Sequence, residues 1–214
     1  MQRLRIKFGR GEEVKFISHL DLMRLWERAL RRAANPMAYS QGFSPHPKIS
    51  MAAPLAIGVT SEGEVMDILL RRRVSPYSFI KVISEQLPSG IDILGVEQVS
   101  LTASSLQSQV REAEYRVEVE ADGGVDRVEA ALRSFLAEEH IPWQHQRDTG
   151  VRHYDLRLLV LHLWLIGGQG SRCTLGMRLR TDSRGTGRPE QVVAALGFSQ
   201  RPISIHRTRL VFSP

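Results

Sequence analysis

Ser18-His19-Leu20-Asp21-Leu22-Met23-Arg24-Leu25-Trp26-Glu27-Arg28-Ala29-Leu30-Arg31-Arg32-Ala33-Ala34 is the stretch on which the fold turns. Leu22, Leu25, Trp26, Ala29, Leu30 and Ala33 recur at the three-and-four spacing of a single helical stripe. Arg24, Arg28, Arg31 and Arg32 fall on the opposite side. Ser18 stands as the N-cap, with Asp21 in the capping-box position. The spacing predicts a helix from about His19 to Ala34. It must end before Pro36, because a residue preceding proline avoids helical angles. Its apolar stripe needs a surface to bury against, most simply a sheet, and its arginines then face outward.

Strand patterns lie on both sides of this helix. Leu4 to Phe8 alternates apolar and basic residues, as a strand with one wet face does. A turn is expected at Gly9 to Glu13, followed by Val14-Lys15-Phe16-Ile17. Ile49 to Leu55 and Glu64 to Arg71 read as two strands joined through Gly58 to Gly63. Pro76 to Gln86 is a second helix with proline in its first turn, where the missing N–H costs nothing. Pro88-Ser89-Gly90 stops it, and Ile91 to Leu101 is a further strand. Strand, helix, strand, strand, helix, strand is the ferredoxin-like split βαβ order.

After polar Thr102 to Gln109 the order starts again. Tyr115 to Glu120 is a strand, Val125 to Glu139 a helix and Pro142 to Arg147 a short strand. Asp148-Thr149-Gly150 is a hairpin signal. Tyr154 to Ile166 and Arg172 to Arg180 are strands, Pro189 to Leu196 a helix, and Ile203 to Phe212 the last strand. The expected fold class is α+β, with two tandem ferredoxin-like (βαββαβ) units, the second carrying an extra strand or hairpin. The expected divisions are residues 1–101, a linker over 102–112, and residues 113–214. A single mixed-sheet α+β domain is the alternative.

Of 214 residues, 42% are hydrophobic and 24% charged, an ordinary globular composition. The formal net charge of +6 favours anionic partners such as nucleic acid, provided the charges are grouped. Cys173 is the single cysteine. That rules out an intrachain disulfide and, in practice, an iron–sulfur cluster held by this chain alone. No apolar run is long enough to cross a bilayer, and the start lacks the apolar core of a signal peptide, so a cytoplasmic location is expected. The seven histidines show no ligand spacing on a predicted helix, so no metal site is expected.

Three places carry candidate chemistry. Arg24, Arg28, Arg31 and Arg32 offer planar forks that fit phosphate oxygens in pairs; the competing role is a solvated face salt-bridged to Asp21 and Glu27. In the following loop, Tyr39 and Phe43 can stack on unpaired bases. Ser40, Gln41, His46 and Lys48 supply donors there, and Gly42 permits close backbone approach. The competing role is a proline-stiffened connection whose aromatics fold back on the core. Third, Arg184, Gly185, Gly187 and Arg188 form a glycine-rich loop opening a helix, where an anion can sit. It lacks both the Walker ending and the dinucleotide glycine spacing. Arg71-Arg72-Arg73 ends a strand, with Arg71 and Arg73 expected on one face and Arg72 on the other. For catalysis the only candidates are His19 and His46, as acid and base on RNA.

Phe16-Ile17-Ser18-His19-Leu20-Asp21-Leu22, Arg28-Ala29-Leu30-Arg31-Arg32-Ala33, Pro36, Tyr39-Ser40, and Gly42-Phe43-Ser44-Pro45-His46-Pro47, with Leu55, Gly58, Ser61, Glu64 and Asp67, together resemble the radical-SAM-linked protein family. That is a bacterial domain of unknown function found beside, or fused to, a radical SAM protein. The likeness is dense over roughly the first seventy residues. Later landmarks are Tyr154-Asp155-Leu156-Arg157 and Arg188-Pro189-Glu190, and Ser44 replaces the family's usual asparagine. The resemblance implies a radical SAM protein as partner, with the iron–sulfur cluster and S-adenosylmethionine on that partner and no cofactor on this chain. It also points towards RNA. The tandem ferredoxin-like order is similar, at the level of fold, to the RAMP class of CRISPR RNA-processing proteins. The expected function is an RNA-binding accessory module that presents RNA to the radical SAM enzyme, in a cleft between the two units. Alternatives are a metal-independent endoribonuclease using His19 or His46, and a protein–protein adaptor for the same partner.

Overall fold

The computed structural model of the chain describes residues 1–147 and 150–213. Asp148 and Thr149, at the expected hairpin turn, lie outside the described residues. In chain order the elements are β1 (Gln2–Arg10), α1 (His19–Arg32), β2 (Ile49–Met51), β3 (Thr60–Leu70), α2 (Pro76–Ser84), β4 (Ile91–Val99), α3 (Leu106–Gln109) and β5 (Val110–Glu120). They continue with α4 (Gly124–Ala137), β6 (Pro142–Arg147), β7 (Gly150–Asp155), β8 (Val160–Gln169), β9 (Arg172–Asp182), β10 (Gly185–Thr186), α5 (Pro189–Ala195) and β11 (Ser204–Phe212). The class is α+β. The chain divides into two compact units, residues 1–110 with the C-terminal residues from Phe212, and residues 111–211.

In the first unit β1 is central. It pairs antiparallel with β3 (Leu4 opposite Ile68) and with β4 (Ile6 opposite Val96). β2 adds antiparallel to the other edge of β3 (Ile49 opposite Ile68). The strand order is therefore β4-β1-β3-β2. α1 and α2 each link strands that run the same way, as a helix crossover requires. Leu22, Trp26, Ala29 and Leu30 of α1 and Phe79 and Ile83 of α2 are buried with Leu4, Ile6, Phe8, Met66 and Ile68 of the strands. Phe8 and Trp26 meet edge to face at 5.1 Å, a preferred aromatic geometry.

The start of α1 is fixed from two sides. Ser18 Oγ accepts from the Asp21 N–H (3.1 Å) and donates to Asp21 Oδ2 (2.7 Å). Arg10, 1% exposed, donates to the carbonyls of Val14 (3.2 Å), Lys15 (2.7 Å) and Ile17 (2.6 Å). The segment read as Val14 to Ile17 is thus a short 3-10 turn over Glu12–Val14 and a stapled connection. At the other end α1 stops at Arg32, two residues short of the expected Ala34. Ala34 adopts a left-handed φ of 51°, and its N–H donates to the Arg31 carbonyl (3.0 Å).

In the second unit the central ladder joins β5 and β9, with Tyr115 opposite Met177. β8 and the short β10 both pair with β9, and β11 lies beside β5. The order β8-β9-β5-β11 matches that of the first unit. The additional hairpin is β6–β7 (Trp143 opposite Tyr154).

Three stretches depart from the sequence-based expectation. Ile49 to Leu55 forms a strand only to Met51; the Ala52 N–H still donates to the Val65 carbonyl of β3 (2.9 Å), and the backbone bends at Ala52 and Ala53, both buried. Tyr154 to Ile166 is not one strand. β7 ends at Asp155, whose carboxylate accepts from the Arg157 N–H (2.9 Å) and captures the backbone into a 3-10 turn before β8. The 102–112 segment contains α3 and the start of β5. It is tied down by hydrogen bonds from Arg3 to the carbonyls of Ala103 and Ser104 (2.8 and 3.0 Å) and by a Gln107–Ser50 pair.

Candidate nucleic-acid interface

The burial of Leu22, Trp26, Ala29 and Leu30 decides where the arginines of α1 go. Arg24, Arg28, Arg31 and Arg32 are all exposed. Arg24 Nη1 lies 3.4 Å from Asp21 Oδ1, an exposed pair of small energetic weight. Asp21 sits below the usual carboxylate range, first because the Ser18 hydroxyl donates to it and then because Arg24 is near. Arg32 donates to the carbonyl of Gln86 (2.9 Å). Arg28 and Arg31 have neither an acid nor a hydrogen-bond partner among the described residues.

The segment after α1 is more ordered than a loop. Ala38 N–H donates to the Leu69 carbonyl (2.8 Å), and Lys48 N–H to the Ala38 carbonyl (2.9 Å). Tyr39 bridges to Pro47. Above this root, Ser40 N–H donates to the His46 carbonyl (2.9 Å), and His46 N–H donates to Ser40 Oγ (3.0 Å). The ring closed by this reciprocal pair holds Gln41 to Pro45. Gly42 takes φ 124°, a region that side chains oppose. Phe43 is fully exposed and Tyr39 is 42% exposed. His46 and Lys48 also face solvent.

Two grooves flank the arginine face. One, of ≈ 620 Å³, is lined by Leu25, Arg28 and Arg32 with Glu85 to Pro88. The other, of ≈ 510 Å³, is lined by Arg31, Tyr39 and Pro47, by Glu27 and Asn35, and by Arg71 and Arg72. The alternation expected for Arg71 to Arg73 does not apply, because β3 ends at Leu70. Arg71 and Arg72 therefore border the same groove. Asn35 is the polar groove residue that sequence reasoning missed; Glu27 was read only as a salt-bridge partner of the arginines, and Arg71 and Arg72 only as a strand end. Asn35 Nδ2 is buried and has no hydrogen-bond partner among the described residues.

The two histidines are not brought together. His19 opens α1 and is half-buried. The His46 loop is rooted beside Arg31, and α1 rises about 18 Å between His19 and Arg31.

The glycine-rich stretch of the second unit is a tight hairpin end. Gly185 and Thr186 pair back on Asp182 and Thr181. Asp182 accepts from the Arg184 N–H (2.8 Å) and from the Arg184 and Arg180 guanidiniums (3.3 and 3.4 Å). Burial works against ionised Asp182, but these bonds prevail and hold its pKa below the usual value. A Cβ on Gly187 would stand 3.0 Å from the Leu159 carbonyl oxygen and from Leu179 Cβ, so close packing explains this glycine. Arg188 is exposed, at the N-cap of the seven-residue α5.

A further cluster lies at the β6–β7 hairpin. His140 Nδ1 and Asp155 Oδ2 are 2.7 Å apart, and the Ile141 N–H donates to Asp155 Oδ1 (2.9 Å). These bonds, His140 first, lower the Asp155 pKa. Among the described residues no group of three or more histidine, cysteine, aspartate or glutamate side chains could hold a metal ion. No helix among them is long and apolar enough to cross a membrane. Cys173 is buried, and that burial raises its thiol pKa.

A family of uncharacterized proteins conserved in bacteria, DUF2344, matches residues 3–189. The chain belongs to that family. No curated protein matches this DUF2344 chain. Among solved structures, a chain of a Cbf5–Nop10–Gar1 complex is similar at a TM-score of 0.53 and 12% identity, over 97% of this chain and 48% of that one. A chain from an H/ACA ribonucleoprotein bound to a substrate RNA containing 2′-deoxyuridine aligns at a TM-score of 0.47 and 12% identity, over 98% of this chain and 57% of that one. The DUF2344 chain thus spans about half the length of the first of these. At such identity the first likeness is one of fold.

Proposed function

We propose that this chain is an RNA-binding accessory module, built of two ferredoxin-like units, that presents RNA to a radical SAM enzyme. The observation that carries the RNA assignment is the outward row Arg24, Arg28, Arg31 and Arg32, in which Arg28 and Arg31 form no ion pair among the described residues. Backbone phosphates are the natural partners of such a row. The row leads to the Arg31 groove, which Arg71 and Arg72 enrich, and to a stapled loop with Phe43 in solvent and Tyr39 at its root. Aromatic rings beside fixed positive charge suit single-stranded RNA, whose bases are free to stack. The ferredoxin-like assignment is supported by the parallel strand orders β4-β1-β3-β2 and β11-β5-β9-β8. The radical SAM partner rests on the resemblance of residues 16–67.

The test is titration of a labelled single-stranded RNA at several salt concentrations. Affinity should fall steeply with salt, and Arg28→Glu with Arg31→Glu should weaken binding and flatten that slope. Absent binding, or binding insensitive to both changes, overturns the assignment. Capture of a radical SAM protein from cell extract should depend on RNA; capture that survives nuclease and requires Arg24 and Arg28 would make the chain an adaptor instead.

A further inference from the structure

The Arg31 groove contains a carboxylate that a surface for phosphates does not need. Glu27 lines it together with Arg31, Arg71 and Arg72, yet makes no ion pair with any of them. Asn35 lines it too, but its amide nitrogen is shut off from solvent and is not open to a ligand in the groove. Its N–H donates to the Leu30 carbonyl and its carbonyl accepts from the Met37 N–H, so this wall of the groove is fixed. Tyr39 adds a ring to the same wall. The volume of ≈ 510 Å³ falls within the roughly 300–1,000 Å³ that accommodates one small organic ligand.

We infer that this groove selects a guanine base of single-stranded RNA, an inference that rests on the RNA-binding assignment. A carboxylate accepts in pairs and donates nothing. Of the four RNA bases only guanine presents two adjacent donors on its Watson–Crick edge, N1–H and the N2 amino group, and next to them the O6 acceptor. Glu27 takes the two donors. Adenine and cytosine set a ring-nitrogen acceptor against the carboxylate, and uracil offers a single N–H between two carbonyls. The Tyr39 ring packs on the face of the base, and Arg31, Arg71 and Arg72 take the flanking phosphates. The acid in the groove weakens attraction to the backbone in general and returns it as choice of base.

The experiment is fluorescence anisotropy with labelled decameric oligouridylates carrying one central guanosine, inosine, adenosine or cytidine, and with the all-uridine oligomer. The guanosine oligomer should bind about tenfold or more tightly than the adenosine, cytidine and uridine forms, the scale of a bidentate base contact. Inosine, lacking the N2 amino group, should fall between. Glu27→Gln should erase the preference while affinity for the all-uridine oligomer holds or rises. Glu27 is half-buried but the change to glutamine keeps its size and shape, so this variant keeps the fold, checked by its melting curve. Equal affinity for all five oligomers, or a guanosine preference that survives Glu27→Gln, overturns the guanine assignment and leaves RNA binding standing. No binding of any oligomer overturns both.

Discussion

The backbone N–H of Asn35 donates to the carbonyl of Leu30 at 3.1 Å, closing the last turn of α1 around Ala34. With the Ala34-to-Arg31 bond this is a Schellman cap, a motif that ordinarily places glycine at the left-handed position. Alanine there carries a Cβ penalty of about 1–2 kcal/mol, against a glycine entropy cost of about 0.5–1 kcal/mol. Ala34→Gly should therefore stabilise the first unit by up to about 1 kcal/mol, read as a higher urea midpoint with unchanged slope. A lower midpoint would show that φ at this position is not strained.

Arg10 should rank among the costliest single changes. Its guanidinium is buried and joins three carbonyls of the connection before α1. Arg10→Met keeps the stem but orphans those acceptors, at roughly 3 kcal/mol or more. Denaturant titration followed by tryptophan emission reports it, since Trp26 lies in the same core. A loss under 1 kcal/mol would mean that the turn finds other donors.

Phe43→Ala separates binding from folding. The ring touches solvent on all sides, so the melting temperature should not move. Loss of one stacking platform should weaken single-stranded RNA by about 1–3 kcal/mol. Unchanged affinity would remove Phe43 from the interface.

Gly187→Ala should destabilise the second unit by about 1–3 kcal/mol through overpacking against Leu159 and Leu179. Arg184→Ala and Arg188→Ala should leave stability nearly unchanged, so their effect on RNA affinity tests the glycine-rich stretch as an anion site.

Acid should undo the second unit through its paired carboxylates. Glu114 accepts from Arg209 (2.6 and 2.8 Å) and Arg178 (2.7 Å), and these bonds, Arg209 first, lower its pKa despite burial. Asp155 is lowered by His140 and backbone N–H groups. A carboxyl depressed in the folded state contributes stability that is complete above its unfolded value and lost as pH falls through the folded one. Urea midpoints should hold near neutrality and drop below about pH 4. Glu114→Gln should lower the neutral midpoint and make that acid limb shallower; an identical limb would exclude Glu114 as a contributor.

What the sequence disclosed followed from periodicity. The α1 stripe, its Ser18 cap and the outward arginines are local, and a three-and-four repeat displays them directly. The element order of both units was legible for the same reason. The break after Asp155 was not, because Tyr154-Asp155-Leu156-Arg157 alternates like a strand; the signal was the lone acid in an apolar run, able to capture an N–H two residues on. β2 is shorter than its apolar run because the backbone bends at Ala52 and Ala53, both buried. The Arg31 groove was hidden by distance along the chain: Arg71 and Arg72 reach it only because β3 brings its end beside Pro36. His140 and Asp155, fifteen residues apart, meet for a comparable reason.

The Ser40–His46 ring has a kinetic side. A finger already shaped before contact gives up little freedom on contact, so docking should proceed as a rigid insertion with no slow rearrangement phase. Loosening its base, for example by Ser40→Ala, should then shorten the lifetime of a complex even though the tip that touches the ligand is unchanged.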